Sequence, residues 1–361
     1  MRLSFSEEHR SLCDVFERVF AAEATAERAR AVMASAEGWD KALWRQLAEL
    51  GWLGTTIAEE HGGQGQDVLL QCLLAEAVGR HLAAIPYASA ILGFAAALPL
   101  CNHPGTTALM AGVVAGTVIG GVVPGDAWEE FRLAEGTAHG LAPAIADGQV
   151  LTHLLTQQED RVLLVDLAGA ERQRRDALDP LTPAASLRLT GCSAWIVAEG
   201  EAGTTLWQCI LAHHAVLLAF AQIGGADAAL KMACDHVVQR FAFGRPLGSF
   251  QAIKHGLADV LAAIEIARSN AWYAAATLAE AHPDLTLAAA SARVSATDAY
   301  RQAARANVHY HGGLGVTAES NAHLHYRRAQ ALGMTIGSPA QWRETLIQAV
   351  LARRANPALA V

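Results

Sequence analysis

The pattern of apolar and polar positions divides the chain into three regions. In residues 6–108, apolar side chains recur at helical spacing. In residues 113–199, short apolar runs are separated by turns containing Gly, Pro and Asp, which is typical of a small β-barrel or sandwich. Residues 205–351 return to helical spacing in long, alanine-rich stretches. The pattern therefore predicts a mainly α protein with a central β-domain.

These regions define the predicted domains and their main elements. We expect an N-terminal helical domain at residues 1–112, a middle β-domain at 113–203 and a C-terminal helical bundle at 204–361. The expected strands are residues 118–123, 150–155, 161–165 and 195–197. The expected long helices are residues 216–238, 253–281 and 288–308, where alanine allows helices to approach closely.

One uncharged run raises the question of a membrane span. Residues 82–101 carry no charged side chain, and a spanning helix needs about 20 apolar residues. Pro86 and Pro99 leave only residues 87–98 uninterrupted. Such a helix would rise about 18 Å, whereas the bilayer core is about 30 Å thick. The alternatives are a transmembrane helix and a buried core helix, and the short length favours the core helix, so no membrane span is expected.

The overall composition excludes some functions and raises a question about buried surface. The 361 residues include 27 Lys and Arg against 35 Asp and Glu, a net charge of −8, which argues against nucleic-acid binding. Hydrophobic residues make up 52 % and charged residues 17 %, where about 25 % charge is ordinary. We therefore expect much helix surface to be buried within the protein and against partners.

Other features favour a reduced, cytoplasmic protein without a metal. The first ten residues are acidic and polar, unlike a signal peptide. The six cysteines form no Cys-x-x-Cys pair, so buried free thiols are expected. Two histidine pairs lack a Cys or carboxylate at ligand spacing, so no metal site is expected. These pairs are His309 with His311 and His323 with His325.

The strongest local motif lies at residues 240–255. An arginine, Arg240, ends one predicted helix, a Gly/Pro turn follows, and Ser249 is placed to cap the next helix. Gln251 and His255 would then share a helix face. Such a turn can present a guanidinium and an amide to a pyrophosphate. The alternative is an ordinary helix corner with a solvated arginine.

A second motif, residues 309–319, ends another predicted helix with several glycines. Gly312 and Gly313 offer bare backbone amides that can cradle phosphate oxygens. The alternative is an ordinary helix C-cap, because glycine is the usual residue there.

Together these motifs resemble the acyl-CoA dehydrogenase family. The family pattern R-x-x-F-G-x-x-x-x-x-F-Q-x-x-x-H is matched by Arg240, Phe243, Gly244, Phe250, Gln251 and His255. The family's later Q-x-x-G-G-x-G pattern is similar to residues 309–315, with His309 in place of the glutamine, and residues 44–65 resemble the family's first domain. The resemblance implies a helical domain, a β-domain and a C-terminal four-helix bundle.

The resemblance also implies a reaction and a cofactor site. In such enzymes FAD oxidises the Cα–Cβ bond of an acyl-CoA thioester while a carboxylate removes the α-proton. The FAD-binding positions carried over are Arg240, Phe243, Gly244, Gln251, His309, Gly312 and Gly313.

The chain departs from the family at the catalytic base and in the middle domain. The two family base positions fall on Ile336 and His214, so neither holds a carboxylate. An isoleucine cannot take a proton, which leaves His214 as the substitute candidate. The nearest counterpart of the family's T-E-P-x-x-G-S-D motif is residues 122–128, which lack its Thr-Glu and Gly-Ser-Asp. Trp195 falls too late to replace the family's flavin-flanking tryptophan.

In the family's dimers, as the resemblance implies, the retained motifs reach the cofactor of the neighbouring subunit. The missing residues serve the flavin within the same subunit. The chain is therefore expected to pair with a second, more complete acyl-CoA dehydrogenase chain, as in heterotetramers that act on CoA esters of steroid side chains. The alternatives are a homo-oligomer, a non-catalytic partner subunit that completes another chain's FAD site, and a flavin monooxygenase-like relative.

Overall fold

The computed structural model describes residues 7–101 and 103–355. Helices predominate in the first region, and a buried π-helical segment, Ala88–Ala95, lies between the last two of them. The helices are α1 (Glu7–Glu23), α2 (Ala26–Ala34), α3 (Lys41–Glu49), α4 (Val68–Arg80) and α5 (Thr106–Val114). The expectation for the first ten residues falls partly on residues 1–6, which lie outside the described residues.

A seven-stranded sheet follows. Its strands are β1 (Gly120–Val123), β2 (Glu129–Ala134), β3 (Thr137–Ile145), β4 (His153–Gln158), β5 (Arg161–Asp166), β6 (Glu171–Arg174) and β7 (Ala185–Ala198). The order is β1-β4-β5-β7-β3-β2, with β6 also on β7. Among these strands of the described residues, only β1 and β4 pair in parallel. Strand β7 joins the two halves, because its first part pairs with β3 and β6 and its end pairs with β5.

The last region is helical apart from one small hairpin. Its elements are α6 (Gly200–Gln239), β8 (Phe241–Ala242), β9 (Arg245–Pro246), α7 (Gln251–Ala279), α8 (Leu285–His311), α9 (Ala322–Met334) and α10 (Pro339–Ala355). The three predicted long helices are confirmed as α6, α7 and α8, and the mainly α class with a central β-domain is confirmed with them.

The chain forms two compact units, each assembled from separate segments. The bundle unit contains residues 1–28, 72–83 and 215–361, and the sheet unit contains residues 29–71 and 84–214. Three of the boundaries between them fall inside α2, α4 and α6, and the fourth lies between α4 and the π-helical segment. The predicted domain boundaries at 112 and 203 stay predictions.

Glycines allow the closest packing in both units. In the bundle unit a Cβ at Gly79 of α4 would lie 1.9 Å from the Ala221 carbonyl oxygen of α6. A Cβ at Gly224 of α6 would likewise lie 1.9 Å from the Glu76 carbonyl oxygen of α4. In the sheet unit a Cβ at Gly120 would overlap the ring of Phe94. Small residues therefore bring α4 and α6 into backbone contact, as expected for helices rich in Ala and Gly.

The uncharged run near Pro86 forms a buried helix. Residues 90–95 are all buried, which confirms the core-helix interpretation for residues 87–98. Among the described residues, α6 alone is long and apolar enough to cross a membrane, and 83 % of its most apolar window is buried inside the protein. Burial of that kind is typical of a core helix.

Strand prediction was less complete. The runs at 118–123, 150–155, 161–165 and 195–197 lie at β1, β4, β5 and the end of β7. Strands β2, β3 and β6 were missed, because their side chains are mostly polar or small and half of them face solvent. An antiparallel pair with one solvated face carries a weaker apolar signal than a buried strand.

Candidate functional site

The first element of the candidate site is the arginine turn, residues 240–250, between α6 and α7 in the bundle unit. Its small hairpin pairs Phe241 with Pro246. At the tip, Phe243 and Gly244 have φ angles of 52° and 75°, in the left-handed region that a bulky side chain rarely adopts. Phe243 is nevertheless 95 % exposed. Burial of that side chain therefore does not explain why the turn keeps this shape.

The turn displays two exposed guanidinium groups. The backbone N–H of Arg240 donates to the His236 carbonyl at 2.9 Å, and Leu247 N–H donates to the Arg240 carbonyl at 2.8 Å, which fixes the turn at its base. The Arg245 guanidinium carbon lies 3.9 Å from the centroid of the Phe250 ring, a cation–π contact. Sequence reasoning singled out Arg240 and missed Arg245, which occupies an unspecified position of the family pattern.

Helix α7 begins directly after the turn. Gln251 and His255 are both exposed, four residues apart on its first turns. The prediction that Ser249 caps this helix is wrong. Its hydroxyl donates back to the Pro246 carbonyl at 2.7 Å, because residues 247–249 form a separate 3-10 turn. Phe250 occupies the N-cap position without a side-chain hydrogen bond.

The second element is the glycine loop, residues 309–316, at the end of α8. Gly312 has a φ of 61°, and residues 312–316 form a 3-10 turn. A Cβ at Gly312 or Gly313 would meet no atom within 4 Å. Gly315 differs, since a Cβ there would lie 2.6 Å from the Val308 carbonyl oxygen. The first two glycines therefore leave space beside the backbone, where the Gly312 N–H donates to the His309 carbonyl, whereas Gly315 is required for packing.

Helix packing brings the arginine turn and the glycine loop together. The imidazole rings of His236 in α6 and His311 in α8 stack with centroids 4.0 Å apart and an interplanar angle of 26°. One turn earlier, the Asn307 amide lies 3.1 Å from the Met232 sulfur. Helix α7 also approaches α8 closely, because a Cβ added at Gly256 of α7 would lie only 2.2 Å from the Tyr310 hydroxyl of α8. The helices that lead into the two motifs are thus in contact on one face of the bundle unit.

The other predicted members of the site divide between exposed and buried positions. His309 is exposed beside Tyr310, with ring centroids 5.4 Å apart. Ile336, at the first family base position, is 6 % exposed. Its φ of 55° is unusual for a β-branched residue, and Gly337 follows with a φ of 114°. The Ile336 carbonyl accepts a hydrogen bond from the Trp342 indole at 3.1 Å.

A buried arginine that sequence reasoning missed supports the Ile336 turn. The Arg293 guanidinium donates to the Leu332 and Thr335 carbonyls at 2.5 and 2.9 Å. It also donates to the Gln222 side-chain oxygen at 2.5 Å and to the Thr297 hydroxyl at 3.0 Å. Burial, and to a smaller extent the nearby charge of Arg301, lower the pKa of Arg293 to about 9. The sequence gives no signal for this role, because arginines on helices usually face solvent.

His214, the second family base position, is buried in α6 within the sheet unit and 1 % exposed. Its ring lies against Gly93, where a Cβ would be 2.7 Å from Cε1. The neighbouring His213 has a pKa lowered to about 4 by burial. Whether His214 acts as a base stays a prediction.

The stretch at residues 122–128 is closely packed within the sheet unit. A Cβ at Gly125 would lie 2.5 Å from the Gln157 carbonyl oxygen. The buried Trp128 indole donates to the Thr156 hydroxyl at 2.9 Å. Trp195 is 40 % exposed in β7, with its ring centroid 5.2 Å from that of His103. In the stretch at residues 122–128, Gly125 and Trp128 thus serve packing within the sheet unit.

None of the six cysteines, all of which lie within the described residues, forms a disulfide bond. In residues 7–101 and 103–355, no group of three or more His, Cys, Asp or Glu side chains is arranged to hold a metal ion.

Comparison with known proteins identifies the family. Residues 6–114 match the acyl-CoA dehydrogenase N-terminal domain, and residues 201–351 match the acyl-CoA dehydrogenase C-terminal domain. Acyl-CoA dehydrogenase IpdE2 of Mycolicibacterium smegmatis is 30 % identical over 338 residues, 92 % of this chain and 96 % of that protein. The chain belongs to the acyl-CoA dehydrogenase family.

Solved structures of acyl-CoA dehydrogenases share this fold over almost the whole chain. A variant of the Tcur3481–Tcur3483 steroid ACAD superposes with a TM-score of 0.86 at 28 % identity, covering 97 % of this chain and 99 % of that one. The ChsE4–ChsE5 complex from Mycobacterium tuberculosis gives a TM-score of 0.84 at 23 % identity over 99 % of both chains, which shows the common fold. This chain is therefore an oxidoreductase of a family of flavoproteins that act on CH–CH donors.

Proposed function

We propose that this chain is a FAD-binding subunit of an acyl-CoA dehydrogenase that works with a second dehydrogenase chain. The observation that carries the proposal is the contrast between its two family sites. The helices that carry the arginine turn and the glycine loop meet on one face, where the guanidinium groups of Arg240 and Arg245 are exposed. The family base position instead holds Ile336, a side chain without a titratable group.

The residues on the shared face fit the diphosphate half of FAD. Arg240 and Arg245 supply exposed guanidinium groups for phosphate oxygens. Gly312 and Gly313 leave backbone that a phosphate can approach without meeting a side chain. The exposed Phe243, Gly244, Gln251 and His309 complete the predicted set. When bound, FAD supplies the hydride acceptor for Cα–Cβ oxidation of an acyl-CoA thioester.

The second chain is inferred from what this chain lacks. Removal of a thioester α-proton requires a base placed against the carbon. Ile336 cannot accept a proton, and in the stretch at residues 122–128 Gly125 and Trp128 are engaged in packing within the sheet unit. A partner with a complete site would supply the base. The ChsE4–ChsE5 complex, with its two named components, supports such an arrangement.

The acyl group is proposed to be a steroid side chain. This rests on the similarity to a steroid ACAD at 28 % identity over nearly the full chain. A second candidate function, a non-catalytic partner subunit, is favoured by the same Ile336. The two candidates differ in whether this chain takes part in flavin reduction.

The test is co-expression with a second acyl-CoA dehydrogenase chain, followed by measurement of flavin per chain. We expect flavin in the complex, and Arg240→Ala should weaken its retention by about tenfold or more through loss of a charge-assisted contact. Arg18→Ala removes an exposed arginine of α1 that donates to the Asp14 carbonyl, and should leave flavin retention unchanged.

Two outcomes decide between the candidates. If anaerobic addition of a steroid side-chain CoA ester bleaches the flavin of the complex and Arg240→Ala slows bleaching, this chain belongs to the working dehydrogenase. If bleaching is unaffected by Arg240→Ala while the complex depends on this chain, the non-catalytic role is correct. A homo-oligomer of this chain with one FAD per chain and full activity would refute the second-chain proposal.

A further inference from the structure

The stacked histidines His236 and His311 have a role that the family resemblance does not assign. They connect the two motifs of the proposed site from different helices, with ring centroids 4.0 Å apart. We infer that the His236–His311 pair is a pH-dependent clasp that holds the arginine turn against the glycine loop. This inference rests on the proposed function, because the two segments matter together only if both contact the same cofactor.

His236 lies just before the arginine turn and His311 just before the glycine loop, so movement of either ring is transmitted to the motif that follows it. His236 lies in the last turn of α6, and its carbonyl accepts the backbone N–H of Arg240 at 2.9 Å. His311 is the last residue of α8, directly before Gly312, and its Nδ1 lies 2.8 Å from the Asn307 carbonyl oxygen. That hydrogen bond fixes the ring over the end of its own helix. A displacement of either ring therefore shifts the backbone of the segment that follows.

The stack is stable only while the pair carries little charge. Two protonated imidazoles at this separation would repel each other, because like charges this close interact unfavourably. Partial burial, the adjacent His311 and Arg240 together lower the pKa of His236. Because the pKa of His236 is lowered, its neutral form stabilises the stack above about pH 6.5, the ordinary histidine value, and this stabilisation is lost as the pH falls below that value.

Other charged groups around the pair do not reverse the direction of this pH dependence. The pair borders a cleft of about 760 Å³ in the bundle unit. Two cations line this cleft. Lys231 is paired with Asp235 at 2.6 Å, and Arg80 is paired with Asp227 at 3.4 Å. His81 is paired with Glu17 at 2.8 Å, and His325 is hydrogen-bonded to Tyr300 at 3.1 Å. The acids on the cleft are thus engaged by other cations, and Arg240 adds positive charge beside His236.

Hydrogen exchange of the full chain without flavin tests the clasp directly. Peptides covering residues 236–250 and 307–317 are followed from pH 5.5 to pH 7.5, with intrinsic exchange rates corrected for pH. We expect protection in both segments to fall together, by about tenfold between pH 7 and pH 5.5. The double variant His236→Phe with His311→Phe keeps a ring stack but cannot titrate, so its protection should stay high throughout.

Further variants separate the stack from general effects. The double alanine variant should show low protection in both segments at every pH. His139→Phe, in β3 of the sheet unit, should leave both pH profiles as in the unchanged protein. The inference is overturned if the double phenylalanine variant keeps the pH dependence, or if one segment loses protection without the other.

A second measurement keeps this inference apart from the proposed function. If the exchange results are as expected and Arg240→Ala leaves flavin retention unchanged, the clasp stands and the proposed cofactor site fails. If Arg240→Ala releases flavin but the two segments exchange independently of pH, the cofactor site stands and the clasp fails. If both hold, the co-expressed complex should release flavin faster at pH 5.5 than at pH 7.5, and the double phenylalanine variant should not.

Discussion

The turns at Phe243–Gly244 and Ile336–Gly337 share a backbone feature but have opposite surroundings. Each places a bulky residue in the left-handed region, with φ of 52° and 55°, directly before a glycine with positive φ. Phe243 is 95 % exposed, whereas Ile336 is 6 % exposed. A bulky residue in this region costs of order 1–3 kcal/mol and persists only where something compensates for it.

The compensation differs between the two turns. At Ile336, burial of the side chain, the Trp342 indole and the Arg293 hydrogen bonds just before it all hold the turn in place. At Phe243 the ring is solvated, and its described ring contact is an edge-on one with Phe250 at 6.3 Å. Folding therefore maintains the Ile336 turn, whereas the Phe243 turn lacks such support and is proposed to keep its shape for contact with the cofactor.

The largest expected effect on stability is at Arg293, which supports the buried Ile336 turn. Arg293→Ala should lower the free energy of unfolding by about 4 kcal/mol, because it leaves a cavity and removes the hydrogen-bond donor of the buried Leu332 and Thr335 carbonyls. Urea unfolding at pH 7 measures the change. Arg343→Ala, which removes an exposed ion pair with Asp298, is the control and should cost about 1 kcal/mol or less. Equal effects of the two variants would contradict the support assigned to Arg293.

Sequence reasoning succeeded where a local pattern carries the information. Arg240, Phe243 and Gly244 lie in one continuous segment, so their spacing predicts the turn. The stack of His236 on His311 depends on how α6 packs against α8, and no local pattern encodes that contact. Arg293 was missed for the same reason, since its partners lie on α6 and near the end of α9.

The next largest effect is a loss of folding stability at acidic pH. It concerns α9, the helix that leads into the buried Ile336 turn. His325 in α9 has a pKa lowered to about 3 by burial and by Arg328. The neutral form therefore stabilises the fold above about pH 6.5, and this stability is lost as the pH falls towards 3. Between pH 6.5 and pH 4.5 the loss should be about 2–3 kcal/mol, because one proton is taken up on unfolding.

The variant His325→Phe should remove this part of the pH dependence of unfolding. Tyr300→Phe breaks the same Tyr300–His325 hydrogen bond but keeps the imidazole. It should lower stability at all pH values by about 1 kcal/mol while leaving the pH slope unchanged. A slope that is the same in His325→Phe and in the unchanged protein would show that His325 titrates alike in the folded and unfolded chains.

A smaller effect comes from relieving the backbone at the buried turn. Ile336→Gly removes the strain, about 1 kcal/mol, but also a buried side chain worth about 3 kcal/mol. The net loss of stability should be about 2 kcal/mol by urea unfolding. Ile336→Val keeps both the strain and most of the burial, and should cost about 1 kcal/mol. If Ile336→Gly is more stable than Ile336→Val, burial does not hold this turn.

The smallest effect on stability is expected at the exposed turn, and there it separates folding from binding. Phe243→Gly relieves the same left-handed strain without loss of a buried side chain, so the free energy of unfolding should rise by up to about 1 kcal/mol. Phe241→Gly, two residues away in β8 and outside the left-handed region, is the matched control and should lower it by about 0.5–1 kcal/mol. In the co-expressed complex, Phe243→Gly should nevertheless retain less flavin, because the ring is proposed to contact the cofactor. A variant that is both more stable and undiminished in flavin retention would show that the exposed Phe243 serves neither folding nor cofactor binding.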